Sequence, residues 1–257
     1  MSRLKNLFQQ NKARKILNVY CTAGFPQLES TLEVMQALQQ HGADIIELGI
    51  PYSDPLADGP VIQASGSRAL ENGMSISKLF NQLEGFRKML TLPVVLMGYL
   101  NPVLQYGFEK FCADAARVGI DGLILPDLPM HEFETEYGAI IKKHGLDFIF
   151  LVTPETSEER IRKVDALSTG FIYAVSSSST TGGDKDFLLT EGYLQKLQQM
   201  QLQNDVLVGF GIKDKQSFEA ATQYSSGGII GSAYIKALQQ GRTINETTKD
   251  FLAQIIG

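Results

Sequence analysis

The chain has no tryptophan, two cysteines and three histidines among its 257 residues. Cys21 falls in an apolar, strand-like run and Cys112 in a helix-like one, so both read as buried packing residues suited to a reducing compartment. His41, His131 and His144 are scattered through helix-like segments, so no metal site is expected. No basic run could neutralise a phosphate backbone, and the formal net charge is -5, which argues against nucleic-acid binding. No apolar run approaches the roughly 20 residues a membrane helix needs. Residues 1–15 lack the apolar stretch of a secretory signal. Together these absences predict a soluble, cytoplasmic protein. No polar linker or change of composition divides the sequence, so residues 1–257 are expected to form a single domain.

What is present suffices for a large core: 44% of the residues are hydrophobic, with no need for disulfides or a metal. Eight short apolar runs recur along the chain: Ile16–Thr22, Asp44–Ile50, Pro93–Tyr99, Asp121–Pro126, Asp147–Thr153, Gly170–Ser176, Asp205–Gly209 and Gly227–Ser232. Their Ile, Val, Leu and Phe content reads as strands buried on both faces. Helical patterns separate them, with capping-box spacing at Ser30/Glu33, Thr156/Glu159 and Thr243/Glu246. The alternation predicts a (β/α)8 TIM barrel with an extra N-terminal helix. An open doubly wound sheet fits less well, because no G-x-G-x-x-G follows the first strand.

Two intervals between strand starts are long, one after the second run and one after the sixth. Residues 76–90, which read as a full helix, explain part of the first. In a barrel the loops after strands line the catalytic face. At the end of the second run, Ile45, Glu47 and Gly49 share one face. An acid inside a barrel strand is costly unless paired or functional. Desolvation would raise its pKa and suit it to proton transfer; a structural Glu held by a buried Arg or Lys is equally consistent. The segment Pro51–Pro60 follows directly and is stiffened by three prolines and a glycine around Asp54 and Asp58.

ELGIPYSDPLADGPVIQ closely resembles the signature segment of the tryptophan synthase alpha subunit family. Further matches occur in order: Thr22–Gly24, Met97–Pro102, Leu125–Pro129, Gly209–Ile212 and Gly231–Ala233. The resemblance spans essentially the whole chain. It implies retro-aldol cleavage of indole-3-glycerol phosphate to indole and glyceraldehyde 3-phosphate, with Glu47 and Asp58 catalytic. It further implies an apolar indole pocket drawn from Tyr20, Ile62, Tyr99, Leu125, Leu151, Tyr173 and Phe210, residues that otherwise read as barrel core. No cofactor is implied for this chain. Pyridoxal phosphate (PLP) would belong to a beta-subunit partner in an αββα heterotetramer, near the loops after strands two, four and six.

The glycine-rich ends of the last two strands carry their own physical reading. Glycine lets backbone amides approach an anion closely. Gly211, Gly231 and Ser232, with Thr181 and Gly182 from the loop after the sixth run, are therefore expected to bind phosphate. That loop departs from the family pattern: Ser177 stands where Arg is common and Ser179 where a glycine is usual. Other aldolase chemistries fit poorly. A Schiff-base enzyme needs a lysine at a strand end, yet Lys15 precedes the first strand and Lys213 lies beyond Gly211. A stand-alone indole-producing lyase, a partner-dependent subunit and a phosphosugar isomerase barrel are distinguished by activity with and without a beta subunit and by Glu47→Gln.

Overall fold

A computed structural model describes residues 2–175, 184–209 and 211–257, with side chains at 184–190 excepted. Nine strand segments, all parallel, form one sheet: β1 (Ile16–Thr22), β2 (Ile45–Gly49), β3 (Val94–Met97), β4 (Gly122–Ile124), β5 (Asp147–Phe148), β6 (Leu151–Val152), β7 (Phe171–Ala174), β8 (Asp205–Val208) and β9 (Gly227–Ile230). The spatial order is β5-β4-β3-β2-β1-β9-β8-β7-β6. The two edges of this order, β5 and β6, are consecutive pieces of one extended stretch. Ile149 N–H donates to Leu123 O at 3.0 Å, and Tyr173 N–H donates to Phe150 O at 3.0 Å, so that stretch joins both edges. The sheet therefore closes on itself, and the eight expected strands are present with one of them split.

The barrel interior follows from strand alternation. Ile16, Ile45, Val95, Ile124, Phe171, Leu207 and Ile229 from seven strands, with Ile149 at the break between β5 and β6, form a single buried cluster. Leu4 and Phe8 of the N-terminal helix Arg3–Gln10 join it and plug the bottom of the barrel. Apolar contacts of this kind are non-directional, so they set the compactness of the barrel while the hydrogen-bond ladder sets its register.

The strand starts are tied down by ion pairs. Arg14 Nη2 meets Asp44 Oδ1 at 2.5 Å, and the other Asp44 oxygen accepts from Leu17 N at 2.9 Å. Asp121 is gripped by Arg3 at 2.8 Å and by Arg87. Lys15 also belongs to this end, with its Nζ donating to Ser225 O at 2.6 Å.

Local signals fared unevenly. Thr243 caps Ile244–Ile256 by accepting from Glu246 N. Ser30 instead lies inside its helix, behind Glu29. Thr156 is drawn into a turn, where its Oγ1 accepts from Thr153 N at 2.9 Å, and Ser157 takes the cap of Glu158–Leu167. The segment 76–90 splits into Ile76–Gln82 and a short turn at Phe86–Lys88, because Gly85 adopts φ 73° between them.

Candidate active site

β2 carries Glu47 on its inward face, paired in register with Tyr20 of β1 and Val95 of β3. The Glu47 side chain is buried, at 1% exposure. Among the described residues no Lys or Arg forms an ion pair with it, in contrast to Asp44 and Asp121 at the other end of the barrel. Its hydrogen bond among the described residues comes from Asn18 Nδ2 to Oε2, at 2.9 Å. Burial pushes the Glu47 carboxyl up to about 8; the Asn18 bond opposes the shift and the nearby Asp58 charge adds to it. Among the described residues, no cation locks Glu47 as a structural Glu.

The loop after β2 separates its two acids. Asp54 is exposed, whereas Asp58 is half-buried just ahead of the helix Pro60–Glu71. The loop is held from two sides. Ala57 N–H donates to the Tyr99 hydroxyl at 3.0 Å, and Gln63 Nε2 donates to Asp58 O at 2.8 Å. Burial pushes the Asp58 carboxyl up to about 6, against a hydrogen bond from Tyr99 that lowers it. Tyr99 itself caps the helix Leu100–Tyr106, whose first amide, Leu100 N, donates to both oxygens of Asp127 at 2.9 and 3.0 Å.

Two phenols, the buried Tyr20 and the partly buried Tyr173, face these acids. The hydroxyls of Tyr20 and Tyr173 are raised well above their ordinary range, chiefly by burial, and both feel the charges of Glu47 and Asp58. Tyr20 also accepts from Thr22 Oγ1 at 3.3 Å. Leu151 pairs in register with Tyr173, and both pack against the interior cluster. Gly231 completes this side, since a Cβ there would lie 3.3 Å from Ile62 Cδ1 and 3.4 Å from Tyr20 Cβ.

Of the expected pocket residues, Tyr20, Ile62, Tyr99, Leu151 and Tyr173 thus stand around the two acids or beside Gly231. Leu125, just beyond the end of β4, is buried in the larger core cluster that also holds Tyr20 and against which Ile62 and Met97 pack, while Ile124 belongs to the interior cluster. The strand β4 is only three residues long, and its inward phase falls on Ile124. Met97, not singled out from the sequence, also packs against the interior. Gly211 is exposed at φ 67°, and Ser232 is exposed at the start of Ser232–Leu238, behind Gly231. Phe210, Thr181 and Gly182 lie outside the described residues, as does the altered Ser176–Thr181 stretch. Asn18 and Asp127 were missed. A lone Asn within the apolar run ILNVYCT was the available signal for the first; the second lies within the matching segment Leu125–Pro129, which did not set it apart.

A family model described as tryptophan synthase alpha chain matches residues 4–255. A tryptophan synthase alpha chain from Parabacteroides distasonis is 51% identical over 253 residues, covering 98% of each chain. One from Flavobacterium johnsoniae is 50% identical over 241 residues, covering 93% of this chain and 94% of that one. Among solved structures, the crystal structure of the alpha subunit from Legionella pneumophila superposes with a TM-score of 0.89. It is 36% identical and the match covers 99% of this chain and 97% of that chain.

Proposed function

The chain belongs to the tryptophan synthase alpha chain family, and from that membership we propose how its residues divide the work. It is a lyase of tryptophan biosynthesis that cleaves indole-3-glycerol phosphate. The reaction is a retro-aldol cleavage to indole and glyceraldehyde 3-phosphate. A proton must reach indole C3, so that the ring can accept the electron pair of the breaking carbon–carbon bond. The adjacent side-chain hydroxyl must lose its proton as it becomes the aldehyde, and positive charge at the ring N–H must be stabilised meanwhile.

Glu47 moves the protons and Asp58 stabilises the ring nitrogen. One observation carries this division: two carboxyls at one barrel mouth are pushed apart, to about 8 and about 6. Near neutral pH the first is mostly protonated and can give its proton to C3, then receive the hydroxyl proton as a carboxylate. The second is mostly ionised and can hold a cationic N–H. Environments that separate two pKa values in this way assign acid and base roles.

Tyr20, Ile62, Tyr99, Leu125, Leu151, Tyr173 and Phe210 form the walls for the indole ring. The phosphate lies against the backbone amides of Gly211, Gly231 and Ser232, with Thr181 and Gly182 closing over it. Residues 1–257 act as one domain, in the cytoplasm. The partner is a tryptophan synthase beta subunit in an αββα assembly. That partner would hold PLP, and this chain needs no cofactor of its own. Leu56, 94% exposed at the tip of the loop carrying Asp58, supports a partner surface beside the mouth.

The test is indole release from indole-3-glycerol phosphate by the purified chain, with and without a beta subunit. Glu47→Gln and Asp58→Asn should each abolish most of it while circular dichroism stays unchanged. Full activity in either variant would refute that residue's role.

A further inference from the structure

We propose that Asn18 is a positioning residue for Glu47, its side-chain amide holding the carboxyl in both of its protonation states. The proposal rests on the reading of Glu47 as the group that moves protons. Asn18 lies on β1, is fully buried, and sits one inward position before Tyr20. The neighbouring interior positions are aliphatic or aromatic: Ile16, Ile45, Val95 and Phe171. Packing alone calls for another apolar side chain there. A buried amide instead has to find partners for its two N–H groups and its oxygen.

It finds one. Nδ2 donates to Glu47 Oε2 at 2.9 Å, whereas Oδ1 is buried without a hydrogen-bond partner among the described residues. Unpartnered buried oxygens of this kind are uncommon and call for an explanation. The chemistry of the neighbour supplies it. A carboxylate offers only acceptors, and Nδ2 serves it. A carboxylic acid also carries an O–H, and Oδ1 is the acceptor left over to receive it. The same amide can therefore steady Glu47 before and after it delivers a proton, with no rearrangement of the barrel wall.

The groups facing Glu47 leave no substitute. Asp58 approaches from the loop after β2, Tyr20 from β1 and Tyr173 from β7, while the Cys21 thiol, on the opposite face of β1, still feels the Glu47 charge. All are acids, so none stabilises the Glu47 charge electrostatically, and the Asn18 bond is what opposes burial. A hydrogen bond to an ionised acceptor is stronger than one between neutral groups. Removing it raises the Glu47 pKa.

Asn18→Leu and Asn18→Val, the second asking for less room, remove the amide. The expected result is a kcat about 10- to 100-fold lower, with KM for indole-3-glycerol phosphate within about twofold. The alkaline limb of the pH profile should move up by about one pH unit. An infrared titration of the Glu47 carboxyl band, identified by its absence in Glu47→Gln, should show the same shift without reference to turnover. Folded Asn18 variants whose carboxyl titrates as in the parent would overturn the proposal, whatever their kcat. Glu47→Gln assayed alongside separates two failures. Normal turnover there would remove the catalytic reading of Glu47 and the role of Asn18 with it. An inactive Glu47→Gln beside an unmoved Asn18→Leu titration would remove the role of Asn18 alone.

Discussion

A Cβ on Gly49 would lie 2.1 Å from the hydroxyl oxygen of Tyr20, so the phenol occupies the space any other residue at 49 would fill. Tyr173 repeats the arrangement over Gly209, where a Cβ would lie 2.1 Å from its Cε2. Each glycine lets a ring from the adjacent strand lean across the barrel mouth. Gly49→Ala has to displace Tyr20, and forcing extra volume into a packed site commonly costs about 1–3 kcal/mol. The expected outcome is a lower melting temperature and a KM for indole-3-glycerol phosphate raised about tenfold, with kcat less affected. Steady-state kinetics beside a thermal melt would check it, and an unchanged KM would mean that the Tyr20 ring does not bound the pocket.

The two carboxyls predict a bell-shaped pH dependence. Asp58 must be ionised, which sets an acid limb near 6, and Glu47 must be protonated, which sets an alkaline limb near 8. The profile of kcat/KM from pH 5 to 9 should therefore peak near neutrality. Asp58→Asn should lower kcat by about 10²–10⁴-fold and flatten the acid limb. Asp54→Asn, a change at an exposed acid, should leave both limbs in place. A profile that rises steadily to pH 9 would contradict the protonated role of Glu47.

Stability should respond to Glu47 in the opposite sense from activity. Its folded pKa, about 8, lies above the ordinary glutamate value of 4.5. Between those values the folded chain binds more protons than the unfolded one. This contribution is therefore fully present below about pH 4.5 and is lost as pH rises through about 8. Glu47→Gln cannot ionise, and its amide can pair with Asn18 in the manner of the protonated acid. At pH 9 the variant should be more stable than the parent by on the order of 2 kcal/mol, with the gap closing toward pH 5. Urea titrations at the two pH values measure this directly. A variant less stable at pH 9 would show that the ionised carboxylate is accommodated after all.

Much of this arrangement was legible because it depends on periodicity. The run Ile16–Thr22 is a strand over its whole length, and the inward face of β2 placed Glu47 before any coordinates did. Alternation fixes a face only where the strand is long enough to set its phase. On β4, three residues long, alternation places Ile124 inward but does not reach Leu125, which follows the end of the strand. Capping residues were harder for a different reason. Thr156 has the right spacing, but a competing turn with Thr153 uses its hydroxyl. Asn18 and Asp127 act on partners far away in sequence, so a lone Asn in an apolar run could flag the first without revealing what it bonds.

Asp127 carries the last prediction, because it connects one loop of the barrel mouth to another. Its two oxygens accept from Leu100 N, fixing the first turn of the helix that Tyr99 caps. The Tyr99 hydroxyl then accepts from Ala57 N and so steadies the loop that presents Asp58. Asp127→Ala frees that helix start, and Tyr99→Phe removes the hydroxyl at the other end of the same chain of contacts. Tyr99→Phe also deletes the bond that lowers the Asp58 pKa, so its acid limb should move above 6. If the contacts act in series, each single change should reduce kcat, and the double variant should be little worse than the poorer single one. Residues that share a network depart from additivity in this way, whereas independent sites add. A double-mutant cycle on kcat/KM decides it: full additivity would mean that Asp127 holds its helix without bearing on Asp58.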